Sequence, residues 1–159
     1  MLSVYLICVG KLKEKFYKDA CAEYVKRLSS YCKLTVVEIP EVKLSKSPTL
    51  GEIANALDKE GDAIRIKIPP SSRVVALCVE GRMRSSEEMA QMIPAQGSQD
   101  KHLVFLIGGS YGLHPSVKAE AHIQLSMSPM TFPHHLARVM LLEQIYRAFK
   151  INEGSSYHK

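Results

Sequence analysis

The chain has 159 residues, of which 46% are hydrophobic and 23% charged, which favours one compact domain and excludes collagen-like, disordered and small disulfide-stabilised proteins. Lysine and arginine outnumber aspartate and glutamate 21 to 16, and this net charge of +5 favours a polyanionic partner. Its apolar stretches fall far short of the roughly 20 residues that span a bilayer, so a membrane protein is not predicted.

The first third of the chain predicts a strand, a helix and a second strand. Leu2–Val9 is rich in valine, leucine and isoleucine, which is typical of a strand buried on both faces. An amphipathic helix follows from Glu14, and its stripe consists of Tyr17, Cys21, Tyr24, Leu28 and Tyr31. Leu34–Ile39 predicts the second strand, and the aperiodic segment Glu41–Pro48 predicts a loop.

Capping signals mark the next two helices. Pro48 at a first helical position and the capping box Thr49-x-x-Glu52 predict a helix with inward-facing Ile53, Leu57 and Ile64. Val74–Val79 predicts a third strand that Glu80-Gly81 closes. Ser85-x-x-Glu88 is a second capping box and predicts a third helix.

The last third of the chain predicts two strands and two helices. Leu103–Ile107 predicts a strand that runs into a glycine-rich turn, Pro115 opens a short helix, and Ile123–Ser126 predicts a fifth strand. Pro133 begins a long helix, whose predicted apolar face is Leu136, Val139, Met140, Ile145 and Phe149. The tail, residues 152–159, is polar and aperiodic.

Strands that alternate with helices indicate βαβ units, so the predicted fold class is α/β, with a mostly parallel sheet and helices on both faces. The chain contains no repeat and no long linker, and residues 1–159 are predicted to form a single domain.

Two features bear on the cellular compartment. Met1–Val9 lacks the basic region and the small-residue cleavage site of a signal peptide, so we expect the protein to stay in the cytosol. The cysteines form no C-x-x-C pair and are predicted to be free thiols, mostly buried: Cys8, Cys21, Cys32 and Cys78.

Three predicted strand ends carry glycine or small polar residues: Leu77–Gly81, Ile107–Gly112 and Ser126–Phe132. In open α/β sheets, ligands bind beyond the carboxyl ends of the strands, so these segments predict a binding site. Gly108-Gly109-x-x-Gly112 departs from the dinucleotide fingerprint and no ribose-binding acid follows it, so NAD is not predicted. A P-loop is absent as well.

The adjacent pair His134-His135 does not predict a metal site. Neighbouring helical residues are expected to point in different directions, and no acidic partner lies at ligand spacing. We expect His134 to act as a hydrogen-bonding group near the start of the last helix, with His135 exposed.

The final residues Tyr157, His158 and Lys159 combine a ring that can stack on a base with groups that can bind phosphate, which suits RNA. A frayed terminus without a function is the alternative.

Several blocks together resemble the ribosomal RNA large subunit methyltransferase H family, whose members are small SPOUT-class enzymes. They are Val9-Gly-Lys-Leu-Lys13, Ile107-Gly-Gly-Ser-x-Gly-Leu-His114, Leu125-Ser-x-Ser-x-Met-Thr-Phe-Pro-His134, Arg138–Ile151 and Tyr157-His-Lys159. The resemblance implies methylation, dependent on S-adenosylmethionine, at N3 of a pseudouridine in the helix 69 loop of 23S rRNA on the assembled ribosome. It also implies a C-terminal trefoil knot, a homodimer and no metal.

Carried onto this sequence, the resemblance implies a cofactor site at the three strand ends: Leu77, Gly108, Met127, Ser128, Pro129, Met130, Thr131 and Phe132. Pro129 has no N–H, so it can contribute only its carbonyl or its ring. Arg138 is the expected electrostatic stabiliser, and His134 or His158 the expected proton relay. Tyr157, His158 and Lys159 are the expected RNA contacts, and the tail of one subunit is expected to complete the pocket of the other.

Three other functions stay open. They are a ribosome-binding factor without chemistry, an oxidoreductase that uses a nicotinamide nucleotide, and a methyltransferase with a different RNA target such as transfer RNA.

Overall fold

The computed structural model describes all 159 residues and contains one five-stranded sheet in which every paired strand is parallel. The strand order is β2-β1-β4-β3-β5. The strands are β1 (Ser3–Val9), β2 (Lys33–Ile39), β3 (Ser72–Met83), β4 (His102–Ile107) and β5 (Ile123–Ser126). The predicted α/β class with a parallel sheet is confirmed.

Helices cover both faces of this sheet. They are α1 (Lys15–Leu28), α2 (Leu50–Lys67), α3 (Ser86–Met92), α4 (Pro115–Glu120) and α5 (His134–Asn152). Helices α1, α3 and α5 share one hydrophobic cluster with the sheet, and α2 and α4 share the other. Strand β1 serves both clusters, because Leu6 and Cys8 face the first and Ile7 and Val9 face the second. This explains why the strand is apolar throughout rather than alternating.

Two helix starts follow the predicted capping chemistry. The Thr49 hydroxyl accepts a hydrogen bond from the Glu52 N–H at 3.1 Å. Pro48 therefore precedes the N-cap, which corrects its predicted helical position. At α3, Ser85 and Glu88 form a complete capping box with two 3.1 Å hydrogen bonds.

Strand β3 extends four residues beyond its predicted end at Val79. A bulge lets both Leu77 and Arg82 pair with Leu125, so the strand continues along β5 to Met83. A Cβ atom on Gly81 would lie 2.7 Å from the Gln124 carbonyl carbon. Gly81 therefore permits a close backbone approach instead of ending the strand.

Helix α5 buries a face that only partly matches the predicted one, although Val139 and Phe149 are half-buried and pack against the core. Of the five predicted residues only Ile145 is buried. The buried residues of the helix are Ala137, Arg138, Leu141, Leu142, Ile145 and Ala148. Two of these are alanines, and small side chains let the helix approach its neighbours closely, while bulkier residues such as Leu136 and Met140 lie at its flanks.

All four cysteines are free, and three are buried, as expected. Burial raises the pKa of the Cys8 thiol to about 12, so this thiol stays protonated and unreactive at neutral pH. No helix combines the length and the apolar character needed to cross a membrane.

Candidate functional site

A cavity of about 720 Å³ opens at the carboxyl ends of β3, β4 and β5. This volume lies within the roughly 300–1,000 Å³ of typical small-molecule sites. The cavity brings together seven of the eight residues predicted for the cofactor: Leu77, Gly108, Met127, Ser128, Met130, Thr131 and Phe132. The eighth, Pro129, is exposed and does not line the cavity, so its part in binding stays a prediction.

The glycine-rich turn after β4 forms one wall of the cavity. A Cβ atom on Gly108 would lie 2.9 Å from the Gly112 Cα atom and closer still to its carbonyl group, so no other residue fits without displacing the backbone. The Gly112 N–H donates a 3.0 Å hydrogen bond to the Gly109 carbonyl, and Gly112 has a φ of +78°. Because its glycines have no side chains, the turn places backbone atoms directly at the cavity wall.

The segment after β5, residues 127–132, forms the opposite wall. The buried Ser126 hydroxyl donates a 3.2 Å hydrogen bond to the Ser128 carbonyl, and the Ser128 hydroxyl accepts one of 3.0 Å from the Met130 N–H. These short-range bonds hold a loop that has no regular structure. Phe132 is half-buried in the cavity wall, while the Met130 side chain is 73% exposed and free to cover a ligand.

His134 lies on the wall of this cavity, at the first position of α5. Burial, and next the nearby His135 imidazole, lower the pKa of His134, so its ring is neutral at pH 7. A neutral imidazole in a ligand cavity can accept a proton.

His135 is not exposed, which corrects the prediction. Its side chain is only 15% exposed, and its ring centroid lies 4.2 Å from that of His134. Glu14 approaches its Nδ1 atom at 3.6 Å, and no cluster of three or more ligating side chains surrounds the pair. Both rings lie beside Gly10, where a Cβ atom would lie 3.6 Å from the His134 Nε2 atom and 3.9 Å from the His135 Nε2 atom.

Arg138 lies apart from the cavity wall. Its side chain is 3% exposed, and it donates hydrogen bonds to Glu38 at 2.9 Å and to the Gly10 carbonyl at 3.2 Å. Within one chain these contacts are structural: they hold the turn after β1 against α5. The predicted role of Arg138 in stabilising charge on the substrate stays a prediction.

We expect Arg138→Ala to lower the free energy of unfolding by about 2 kcal/mol, less than the ~3–5 kcal/mol of a fully buried pair because Glu38 is 36% exposed. Burial opposes ionisation of Glu38, but hydrogen bonds from Arg138 and the Leu12 N–H outweigh it and lower the pKa of that carboxyl. The stabilisation that ionised Glu38 provides is complete above the pKa of an unfolded glutamate, about 4.3. It is lost as the pH falls through the lower pKa of Glu38 in the folded protein.

Urea denaturation at pH 7 and at several values between about pH 5 and 3, on either side of the glutamate pKa, tests this. The decrease in the free energy of unfolding caused by Arg138→Ala should become smaller as the pH falls. Lys15→Ala, which removes an exposed pair with Asp19, serves as the control and should leave stability nearly unchanged. An Arg138→Ala loss that stays constant across this acidic range contradicts the assignment.

The C-terminal tail folds back onto its own chain. Gly154, with a φ of +75°, turns the backbone after α5. The Tyr157 hydroxyl donates to Glu143 at 3.2 Å, and the Arg147 guanidinium lies 4.8 Å from the centre of the Tyr157 ring. His158 lies 2.8 Å from Glu87 on α3. None of Tyr157, His158 or the exposed Lys159 lines the cavity of its own chain.

Two residues at the site escaped the sequence analysis. Tyr111, in the glycine-rich turn, lines the cavity with a side chain that is 51% exposed. An aromatic residue between glycines was the signal that could have revealed it. Glu41 lies 3.3 Å from the Ser110 hydroxyl and so reaches the same turn from the loop after β2. No local pattern marks Glu41, because this contact spans 69 positions.

Two comparisons with known proteins agree with this picture. A family model described as predicted SPOUT methyltransferase matches residues 2–158. Among solved structures, a probable methylase family protein from Haemophilus influenzae Rd KW20 is similar, with a TM-score of 0.53 and 14% identity, and the match covers 99% of this chain and 70% of that one. At this identity the second likeness concerns the fold alone.

Proposed function

The chain belongs to the SPOUT methyltransferase family, and from this premise we propose that it methylates N3 of a pseudouridine in the helix 69 loop of 23S rRNA on the assembled ribosome. The methyl donor in this proposal is S-adenosylmethionine. The family match supports methyl transfer, and the resemblance of the sequence blocks supports the substrate.

One observation carries the proposal: the three strand ends implied by the resemblance converge on one cavity. Its walls fit S-adenosylmethionine. Leu77 and Phe132 offer apolar surface to a purine ring, and the bare backbone of the glycine-rich turn offers polar groups at close range. In this site the cofactor supplies an electrophilic methyl group, and the chain itself needs no nucleophilic side chain.

The chain's own residues then have three tasks. The glycine-rich turn and residues 127–132 bind and orient the donor, which matters because transfer requires the attacking nitrogen in line with the departing sulfur. His134 accepts the N3 proton, as its position on the cavity wall and its lowered pKa allow. Arg138 holds the Gly10 turn next to His134.

The resemblance further implies a trefoil knot and a homodimer in which each tail contributes to the other subunit's site. The convergence of the segments after β3, β4 and β5 on the cavity is compatible with a knot there. We propose that Tyr157, His158 and Lys159 leave the contacts of their own chain when RNA binds and contact the RNA.

The test is transfer of tritiated methyl groups from S-adenosylmethionine to ribosomes from a strain that lacks this protein. Label on N3 of one pseudouridine, placed by digestion and mass spectrometry, is the expected result. Transfer to transfer RNA instead would keep the chemistry and change the substrate.

Two further outcomes would replace the proposal. Salt-sensitive ribosome binding with no transfer to any RNA would favour a binding factor without chemistry. Thermal protection by a nicotinamide nucleotide, but not by S-adenosylmethionine, would favour an oxidoreductase.

A further inference from the structure

A second cavity of about 1,210 Å³ adjoins the first, at the carboxyl ends of β1 and β2. The two cavities share three wall residues: Ser110, Tyr111 and His134. A group bound in the second cavity can therefore meet a group bound in the first across this wall. The proposed donor site does not by itself explain why such a space exists.

The second cavity contains groups that suit the two parts of a nucleotide, its phosphate and its base. Lys11, Lys13 and Lys43 are exposed among its lining residues, and none of them forms an ion pair. Unpaired cations are suited to phosphate. The lining also carries two exposed carboxylates, Glu14 and Glu41, while Glu60 and His135 lie in the interior, where they suit the hydrogen-bonding edge of a base.

Glu60 is the most buried of these interior groups. It is 6% exposed, and one of its oxygens accepts a 2.9 Å hydrogen bond from the Val42 N–H, which leaves the other for a ligand. Burial, and next the nearby Glu41 carboxylate, raise the pKa of Glu60. An ionised carboxyl accepts from an N–H and a protonated one donates to a carbonyl oxygen, so either form can bond the edge of a base. His135 adds a buried Nε2 atom that has no partner in the chain.

Tyr111 completes the arrangement. Its ring is 51% exposed at the wall between the cavities and packs on no other aromatic ring. An unpartnered ring in a cavity that also holds three exposed, unpaired lysines favours a stacked base. A protein partner is disfavoured, since Glu60 and the His135 imidazole lie inside the recess, out of reach of a flat protein surface.

We propose that the second cavity binds the methyl-accepting base, an imide flanked by two carbonyls, with Tyr111 stacked on it and the free Glu60 oxygen hydrogen-bonded to its polar edge. This rests on the proposed function. In the reaction the imide nitrogen gives its proton to the His134 imidazole and forms the new N–CH₃ bond. The methyl–sulfur bond breaks, and its electron pair stays on the sulfur, so the sulfonium becomes a neutral thioether.

The first experiment needs no methyl donor. Pseudouridine 5′-monophosphate is titrated into the free protein and followed by amide NMR. Shifts at Gly10, Val42 and Glu60, around the second cavity, are expected. Shifts confined to residues 108–112 and 127–132, or no shifts at all, would overturn the proposal.

Two alanines that lie two positions apart on α2 give a matched pair. Ala56 is buried in the wall of the second cavity, whereas Ala54 is exposed and does not line it. Ala56→Leu should weaken nucleotide binding at least tenfold and lower methyl transfer to ribosomes similarly, with S-adenosylmethionine affinity unchanged. Ala54→Leu should change none of the three. Equal nucleotide binding by both variants contradicts the proposal.

Substitutions at two exposed lysines keep the proposal testable if Ala56→Leu fails to fold. Lys43→Glu, on the rim, should weaken nucleotide binding severalfold, whereas Lys46→Glu, outside the lining, should not. Equal effects contradict the proposal. Wild-type protein that methylates no RNA would refute the proposed function, while the nucleotide titration would still decide the subsite.

Discussion

Removal of Tyr157–Lys159 is expected to lower methyl transfer to ribosomes by about two orders of magnitude, because one stacked base is worth ~1–3 kcal/mol and the lost cations weaken phosphate binding further. Binding of S-adenosylmethionine should change little, since none of the three residues lines the donor cavity of its own chain. Single-turnover methylation and isothermal titration of the cofactor measure the two effects separately.

The contacts that hold the tail on its own chain allow a control. Glu87→Gln removes the charge that faces His158 but leaves the tail intact. If the tail serves RNA, this variant should methylate at the wild-type rate or faster, because the tail is released more easily. If the tail only braces α3 against α5, Glu87→Gln and the truncation should both lower the thermal midpoint. Full activity of the truncated protein would contradict an RNA role outright.

Replacement of Gly108 by alanine is expected to reduce S-adenosylmethionine affinity at least tenfold. The added Cβ atom would lie 2.9 Å from the Gly112 Cα atom and closer still to its carbonyl group. The turn must therefore move, and losing one backbone hydrogen bond to the cofactor, worth up to about 1.5 kcal/mol, would already weaken binding about tenfold. Because the atoms in conflict are backbone or attached directly to it, no rotamer relieves the clash. The free energy of unfolding should fall by about 1–3 kcal/mol, as in overpacked cores.

Gly51→Ala supplies the comparison. The Cβ atom would meet nothing closer than 3.9 Å at that position, and the residue is exposed near the start of α2. Alanine is the better helix former, so stability should be unchanged or slightly higher and cofactor affinity unaltered. Wild-type affinity in the Gly108→Ala protein would show that the turn does not bind the cofactor.

The sequence revealed features that depend on local chemistry. The Ser85 capping box and the turn at Gly108 follow from the preferences of a few adjacent residues. The bounds of β5 were predicted correctly because a short β-rich run begins after α4 and is followed closely by serine and proline.

Features that depend on distant partners were missed. The local sequence predicted that Gly81 ends the strand. Instead, its lack of a side chain allows the backbone to approach Gln124 closely. The sequence places Arg138 in the site as an electrostatic stabiliser but does not predict its burial against Glu38, which lies 100 positions away. Likewise, the adjacent positions of His134 and His135 on a helix do not predict that their ring centroids lie 4.2 Å apart.

The strand order has a consequence for synthesis of the protein. Strand β1 lies between β2 and β4, and Ser3 pairs with His102, far along the chain. During translation at ~5–20 residues per second, β1 and β2 emerge several seconds before β4 exists to cover the open apolar edge. Such edges promote aggregation. A nascent chain that stops before Ile107 cannot close its sheet, so we expect it to depend on chaperones or be degraded.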